Sequence, residues 1–168
     1  IKGEQLKYVS RGGLKLEKAI SEFNINLDGK TVLDVGASTG GFTDCALQNG
    51  AAYVYSVDVG TNQLNYRLRE NESVKSLENM HIKDLRLEDL DMNKADLIVM
   101  DVSFISITKV FSYLSKFIKD DGQMMALIKP QFEVGKDNIE KGGIVKNKNK
   151  RKMAINMVIE SAREHGFY

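Results

Sequence analysis

Hydrophobic positions along this chain switch repeatedly between two periods. Thr31–Val35, Ala52–Val57, Asp96–Met100 and Met124–Ile128 are short apolar runs with little polar alternation. Such runs predict strands, and Asp96–Met100, almost wholly apolar, is of the sort expected when both sheet faces are covered; Met80–Lys83 adds a shorter candidate. Between them the spacing lengthens to that of a helix. Leu14, Leu16, Ala19, Ile20 and Phe23 predict a helix over 14–24, after a loop or cap over 8–13. Further helices are expected over Thr43–Gln48 and Gln63–Glu70. Ile107, Val110, Phe111, Leu114, Phe117 and Ile118 mark the most amphipathic helix, over 107–118. Beyond Pro130 the periodicity is lost in a basic loop over 129–148, and a helix resumes around Ala154, Met157, Val158 and Ala162. Strands alternating with helices predict an α/β fold with a mostly parallel, doubly wound sheet in one domain over 1–168.

The chemistry starts at the first strand, in VLDVGASTGGFTD over residues 32–44. Strand, glycine-rich turn and helix follow one another directly. Gly36, Gly40 and Gly41 let the backbone turn sharply and approach a ligand closely, with helix N–H groups nearby. A dinucleotide fingerprint reads GxGxxG, whereas here Gly36, Ala37, Ser38, Thr39, Gly40, Gly41 and Phe42 lack glycine at the second required position. The looser turn suits S-adenosyl-L-methionine better than NAD, because that nucleoside has no pyrophosphate to seat. A glycine-rich turn alone is also what an ordinary strand–helix connection contains.

Ligands of open α/β sheets bind beyond the carboxyl ends of the strands. Charged residues recur there: Asp34 within strand one, Asp58 after strand two, Asp84 after the expected third, Asp101 after strand four and Lys129 after strand five. Singly, each fits a solvated turn; together they outline a site. Asp58, followed by Val59, stands where an acid accepts ribose hydroxyls. Asp84 is placed to accept from an adenine amino group, with Leu85 against the ring. Asp34 either fixes the turn or receives the ligand's ammonium, and the structural role is the stronger reading.

Composition narrows the classes. Lys and Arg total 24 against 23 acids, so a basic footprint for nucleic acid must come from clustering rather than net charge. It does cluster: Lys141, Lys146, Lys148, Lys150, Arg151 and Lys152 have no acid among them, forming either a phosphate track or a solvated loop. Arg11 adds charge near the other end. The single cysteine, Cys45, excludes an internal disulfide and a cysteine-based zinc cluster and fits a reducing compartment; no metal is expected. No apolar run approaches the ~20 residues of a membrane span, so a cytoplasmic protein without a membrane partner is expected. The first residues lack methionine, and Gly166 resembles a helix stop before a new strand, so the expectation is a fragment of a longer protein.

Five blocks then combine. YVSRGGLKL over 8–16, LDVGASTGGFTD over 33–44, VDVG over 57–60, MDVSFISI over 100–107 and LIKPQFEVG over 127–135 resemble the FtsJ-type ribose methyltransferases, and more closely their TlyA-type, haemolysin-like rRNA branch. The resemblance implies a Rossmann-like S-adenosylmethionine-dependent fold whose last strands lie beyond this chain, as does an N-terminal RNA-binding domain. It implies methylation of a ribose 2′-hydroxyl, on cytidine of ribosomal RNA, with ribosomal RNA or ribosomal subunits as partner. From the family's Lys, Asp, Lys, Glu set it carries over Lys15, Asp101 and Lys129, while the glutamate has no match before residue 168. In that light Lys129 activates the acceptor, Asp101 orients it and Lys15 is an electrostatic partner. Lys129 either stabilises a developing alkoxide as a cation or, once neutral, takes its proton; both remain open at this point. Phe104 either stacks on an extruded base or packs in the core.

Other classes fit less well. A base-directed amino methyltransferase calls for an NPPY-like or DPPY-like motif where this chain has Asp101-Val102-Ser103-Phe104. A carbon-directed enzyme needs a nucleophilic cysteine, whereas Cys45 falls in the helix after the glycine turn. A dehydrogenase leaves Lys15, Asp101 and Lys129 unexplained. The remaining alternatives are a non-catalytic RNA-binding protein and a haemolysin-like, membrane-active one, for which no alternating barrel pattern is present.

Overall fold

The computed structural model describes residues 5–103, 106–133 and 147–168. The chain divides into two compact units, Ile1–Asp101 with Phe117–Met125, and Val102–Lys116 with Ala126–Tyr168.

In the first unit, helix α1 (Gly12–Phe23) precedes β1 (Thr31–Val35), α2 (Gly41–Gln48), β2 (Tyr53–Val57), α3 (Tyr66–Arg69), β3 (Val74–Leu77) and β4 (Ala95–Met100). With β5 (Ile118–Ala126) these strands form one sheet in the order β3-β2-β1-β4-β5. β1 runs parallel to both β2 and β4, and β2 parallel to β3. Strand order therefore reverses at β1, which places the glycine turn after β1 at the point where open α/β sheets bind ligands. Val32, Val54, Leu97 and Val99 join Leu16, Leu27, Phe42, Cys45 and Ala46 in one buried cluster. Leu33, Ile98 and Met100, alternating with them, are equally buried. Burial of both faces is why the strands read as continuous apolar runs rather than as alternation.

Three expectations are corrected. The third strand lies at Val74–Leu77, not at Met80–Lys83, where the chain makes a 3₁₀ turn over Ile82–Asp84. Lys75 and Ser76 interrupt the apolar signal, and β3 is an edge strand whose burial is incomplete. The strand expected over 124–128 is instead β5, over Ile118–Ala126. Its first half, Lys119-Asp120-Asp121, is exposed, and Lys119 Nζ meets Asp96 Oδ1 of β4 at 2.9 Å, so this half of the strand is polar and invisible to a search for apolar runs. The helix over 107–118 is replaced by 3₁₀ turns at Ile107–Lys109, Phe111–Tyr113 and Ser115–Phe117. Ile107, Val110, Phe111, Leu114 and Phe117 are still buried to 2% exposure or less. A three-residue turn and a 3.6-residue turn bury nearly the same positions, so spacing alone cannot separate them. Serine and β-branched residues through this stretch weaken the α-helix.

Boundaries shift elsewhere as well. The 63–70 helix contracts to α3, whose cap Asn65 accepts from Arg67 N. α1 begins at Gly12, inside the expected loop. In the second unit, one helical turn, α4 (Pro130–Glu133), and α5 (Lys148–Glu164) are packed together. α5 ends before Gly166, whose φ of +89° suits the helix stop read there.

Candidate cofactor and catalytic site

The turn after β1 is tied to the end of β2, since Gly36 N and Ala37 N both donate to Val57 O at 2.9 and 3.0 Å. Gly36, Ser38 and Gly40 all have positive φ, of 81°, 52° and 102°. Ser38 is the informative one. A non-glycine residue held in the left-handed region marks local strain, which the surrounding bonds must maintain. Gly40 has no room for a side chain, because a Cβ there would come within 2.3 Å of Leu68 Cδ1 and 2.7 Å of Leu64 Cδ1. Ala37 and Phe42 are buried, whereas Ser38 and Thr39 are exposed at the crest. Gly41 opens α2.

Asp58 joins this crest to the next turn. Its Oδ1 accepts from Ser38 N at 3.1 Å and its Oδ2 from Gly60 N at 2.9 Å. Each oxygen retains a further acceptor site. Asp58 lines a narrow cleft with Ala37, Ser38, Ser56, Gly60, Gln63, Leu64, Ser76 and Glu78. Glu78, the residue directly after β3, has no apolar run ahead of it to mark it in the sequence, because Lys75 and Ser76 interrupt the strand. It accepts from Asn62 N at 3.1 Å and pairs with Arg69 at 2.5 Å. The signal available was an acid following a strand-like Val74–Leu77. Asp84 is exposed at the end of its 3₁₀ turn, Val59 is exposed, and Leu85 is buried to 1% exposure. None of these three lines the cleft.

Asp34 lies beneath the turn with no exposure at all. Its Oδ2 accepts from Thr43 Oγ1 at 2.7 Å, and Thr43 Oγ1 meets Ser56 Oγ at 2.7 Å, so β1, α2 and β2 share one buried polar chain. Asp34 Oδ1 has no hydrogen-bond partner among the described residues. Burial pushes this carboxyl up to about 7; the Thr43 bond opposes that rise, and the charges of Asp101 and Asp58 add to it. An unfolded chain releases the same proton near the ordinary value of 3.8. Between those values the native state holds a proton that the unfolded state has lost, so stability falls as pH climbs from about 4 to about 7. Asp34→Asn keeps an acceptor for Thr43 and is expected to flatten that slope. Urea midpoints at pH 5 and pH 7.5 check it, and an unchanged difference between the two pH values would contradict it.

Lys15 is exposed on α1, and Asp101 directly follows β4, its N–H donating to Val35 O at 3.0 Å. Both belong to the first unit. Lys129 belongs to the second, where its Nζ donates to Ser103 Oγ at 2.9 Å. Four residues on, Glu133 is buried and accepts from Ser106 and from Ile107 N. Neither Ser103 nor Glu133 was singled out in the sequence, although both fall inside the MDVSFISI and LIKPQFEVG blocks. Cys45 is buried, and burial pushes its thiol up to about 11, which makes it a packing residue rather than a nucleophile.

Arg11 is exposed ahead of α1. Lys148, Lys150 and Arg151 fall in the first turn of α5, which holds no acid. Phe104, Lys141 and Lys146 lie outside the described residues. Among the described residues no group of three or more His, Cys, Asp or Glu is placed to hold a metal, and no helix is long and apolar enough to cross a membrane.

The family described as FtsJ-like methyltransferase matches residues 8–168. The chain is 46% identical to Hemolysin A of Brachyspira hyodysenteriae over 98% of its own length and 68% of that protein's. It is 40% identical to the 16S/23S rRNA (cytidine-2'-O)-methyltransferase TlyA of Mycobacterium tuberculosis, over 96% of this chain and 60% of that one. Among solved structures, a protein of Streptococcus thermophilus described as a hemolysin superposes with a TM-score of 0.93 at 45% identity, over 98% of this chain and 60% of the other. This chain thus spans 60 to 68% of the length of these three proteins.

Proposed function

Because this chain belongs to the FtsJ-like methyltransferase family, we propose that it is the methyltransferase domain of an enzyme that methylates a ribose 2′-hydroxyl of ribosomal RNA, on cytidine. The observation that carries the reading is the glycine turn at the β1 switch point, bound to Asp58 through Ser38 N. When bound, S-adenosyl-L-methionine supplies an electrophilic methyl group. The residues fit it. Gly40 and Gly41 let the turn pack closely against Leu64, Leu68 and Gly13, Asp58 offers acceptors for ribose hydroxyls, Glu78 lines the same cleft, and Asp34 Oδ1 is an orphaned acceptor below the turn. Asp84 with Leu85 remains our assignment for the adenine end.

On the acceptor side, the 2′-oxygen must gain nucleophilicity as its proton leaves. Lys129 is assigned that task, as a cation facing the developing alkoxide or as the group whose Nζ takes the proton. Asp101 orients it and Lys15 adds positive potential. Positioning of the acceptor hydroxyl supplies the larger share of such a rate enhancement.

The RNA itself would follow Arg11, Phe104, Lys141, Lys146, Lys148, Lys150 and Arg151. Cations in the first turn of α5 oppose the helix dipole, an arrangement that phosphate contact would relieve. A ribosomal substrate would place the protein in the cytoplasm.

The test is transfer of labelled methyl from S-adenosyl-L-methionine to unmodified ribosomal subunits by the full-length protein, followed by mapping. A label on a cytidine ribose is expected. A label on a base, or none on RNA, would overturn the assignment.

A further inference from the structure

We propose that Glu133 is a positioning residue for the Lys129 amine, a role that rests on the assignment of Lys129 just made. Glu133 is the last residue of α4 and is 7% exposed. Both of its oxygens are used on one stretch of chain. Oε1 accepts from Ile107 N at 2.9 Å, and Oε2 accepts from the Ser106 hydroxyl. Ser106 has one proton, given to Glu133, so in its 2.6 Å contact with Thr108 Oγ1 the threonine donates. Ser106 Oγ also accepts from Thr108 N at 3.2 Å, capping the turn at Ile107–Lys109. Glu133 thus fixes the start of that turn.

Lys129 Nζ meets the same stretch three residues earlier, at Ser103 Oγ. The turn over 129–133 is therefore bonded at both ends, by the Lys129 amine to Ser103 and by the Glu133 carboxylate to Ser106 and Ile107. Between Lys129 and Glu133 the chain is a single helical turn, with Pro130 at its first position and Phe132 N donating to Lys129 O at 2.9 Å. Proline pre-sets the backbone there, so the separation of amine and carboxylate is set locally.

The two ends differ in strength. Ser103 is exposed, and a bond that water can replace contributes little by itself. At the other end, removing the carboxylate leaves the buried Ile107 N–H and the half-buried Ser106 hydroxyl without their acceptor, which costs more than losing a bond that water can replace. The buried end therefore holds the register, and the exposed end presents the amine.

Glu133→Ala, Glu133→Gln and Ser106→Ala in the full-length protein test this, beside wild type and Lys129→Ala. Glu133→Ala is expected to lower kcat by about 10- to 100-fold with the Kd for S-adenosyl-L-methionine unchanged, because a misplaced group loses rate rather than cofactor binding. Glu133→Gln is expected to restore most of that loss, since Oε1 still accepts from Ile107 N and Nε2 donates to Ser106 Oγ. Amide exchange at Ile107 should quicken in the alanine variant and not in the glutamine one. If Glu133→Ala fails to fold, Ser106→Ala carries the test, with a smaller fall in kcat at unchanged cofactor affinity. The proposal is overturned if the alanine variants keep wild-type kcat, or if Glu133→Gln is as impaired as Glu133→Ala, which would make the charge itself the requirement. Failure of the Lys129 assignment looks different: Lys129→Ala would then match wild type.

Discussion

Lys129→Ala in the full-length protein is expected to lower kcat for methyl transfer by about 10²–10⁴-fold, the range seen when a group that handles the reacting proton or charge is removed. Affinity for S-adenosyl-L-methionine should stay within about twofold, because the amine's bond is to Ser103, whereas the glycine turn is held by Asp58 through Ser38 N. Single-turnover transfer to ribosomal subunits, measured beside cofactor titration, separates the two quantities. Lys129→Arg then sorts the two roles still open. Arginine keeps the cation but does not give up its proton, so recovery of a tenth or more of the activity would identify charge as the contribution. A loss equal to that of alanine would identify proton transfer. Full activity in Lys129→Ala would remove this residue from the chemistry.

The second large effect is expected at Gly40. Its φ of +102° belongs to a region that side chains disfavour, and a Cβ there would overlap Leu64 and Leu68, themselves 6% and 4% exposed. Backbone strain of about 1–2 kcal/mol and overpacking of about 1–3 kcal/mol act together in Gly40→Ala. The crest must then shift, and with it Ser38 N, which meets Asp58. Urea unfolding should show a loss of about 2–5 kcal/mol. Cofactor affinity should fall by at least about tenfold, equivalent to 1.4 kcal/mol. Gly29 is the control: it also has a positive φ, of +70°, but a Cβ there meets nothing within 4 Å, so Gly29→Ala should show strain alone and leave cofactor binding intact. Equal behaviour of the two variants would refute the packing part of the argument.

Legibility in the sequence followed the range of the interactions. The turn over 36–41 was readable because its glycines, its strand and its helix are neighbours in the chain. Asp58 and Asp101 were readable because β2 and β4 are almost wholly apolar and end abruptly on an acid. Glu78 was missed because β3 carries Lys75 and Ser76, and an edge strand with partly exposed positions has no continuous apolar run to end. Spacing over 107–117 encodes burial but not helix type, since burial of Ile107, Val110, Phe111, Leu114 and Phe117 suits either period.

By itself, the order of residues determined the alternation of strands and helices, the place of the glycine turn and the acids that follow the strands, because these depend on side-chain size, backbone freedom and solubility over a few positions. Tertiary structure decided the rest. Asp34 is fully buried because β1 lies between β2 and β4, and its bond to Thr43, which in turn meets Ser56, comes from a different helix and a different strand. Glu133 acquired Ser106 and Ile107, 27 and 26 residues away along the chain. Desolvation and hydrogen-bond geometry arise from whatever folding brings near, and no local pattern encodes a neighbour at that separation.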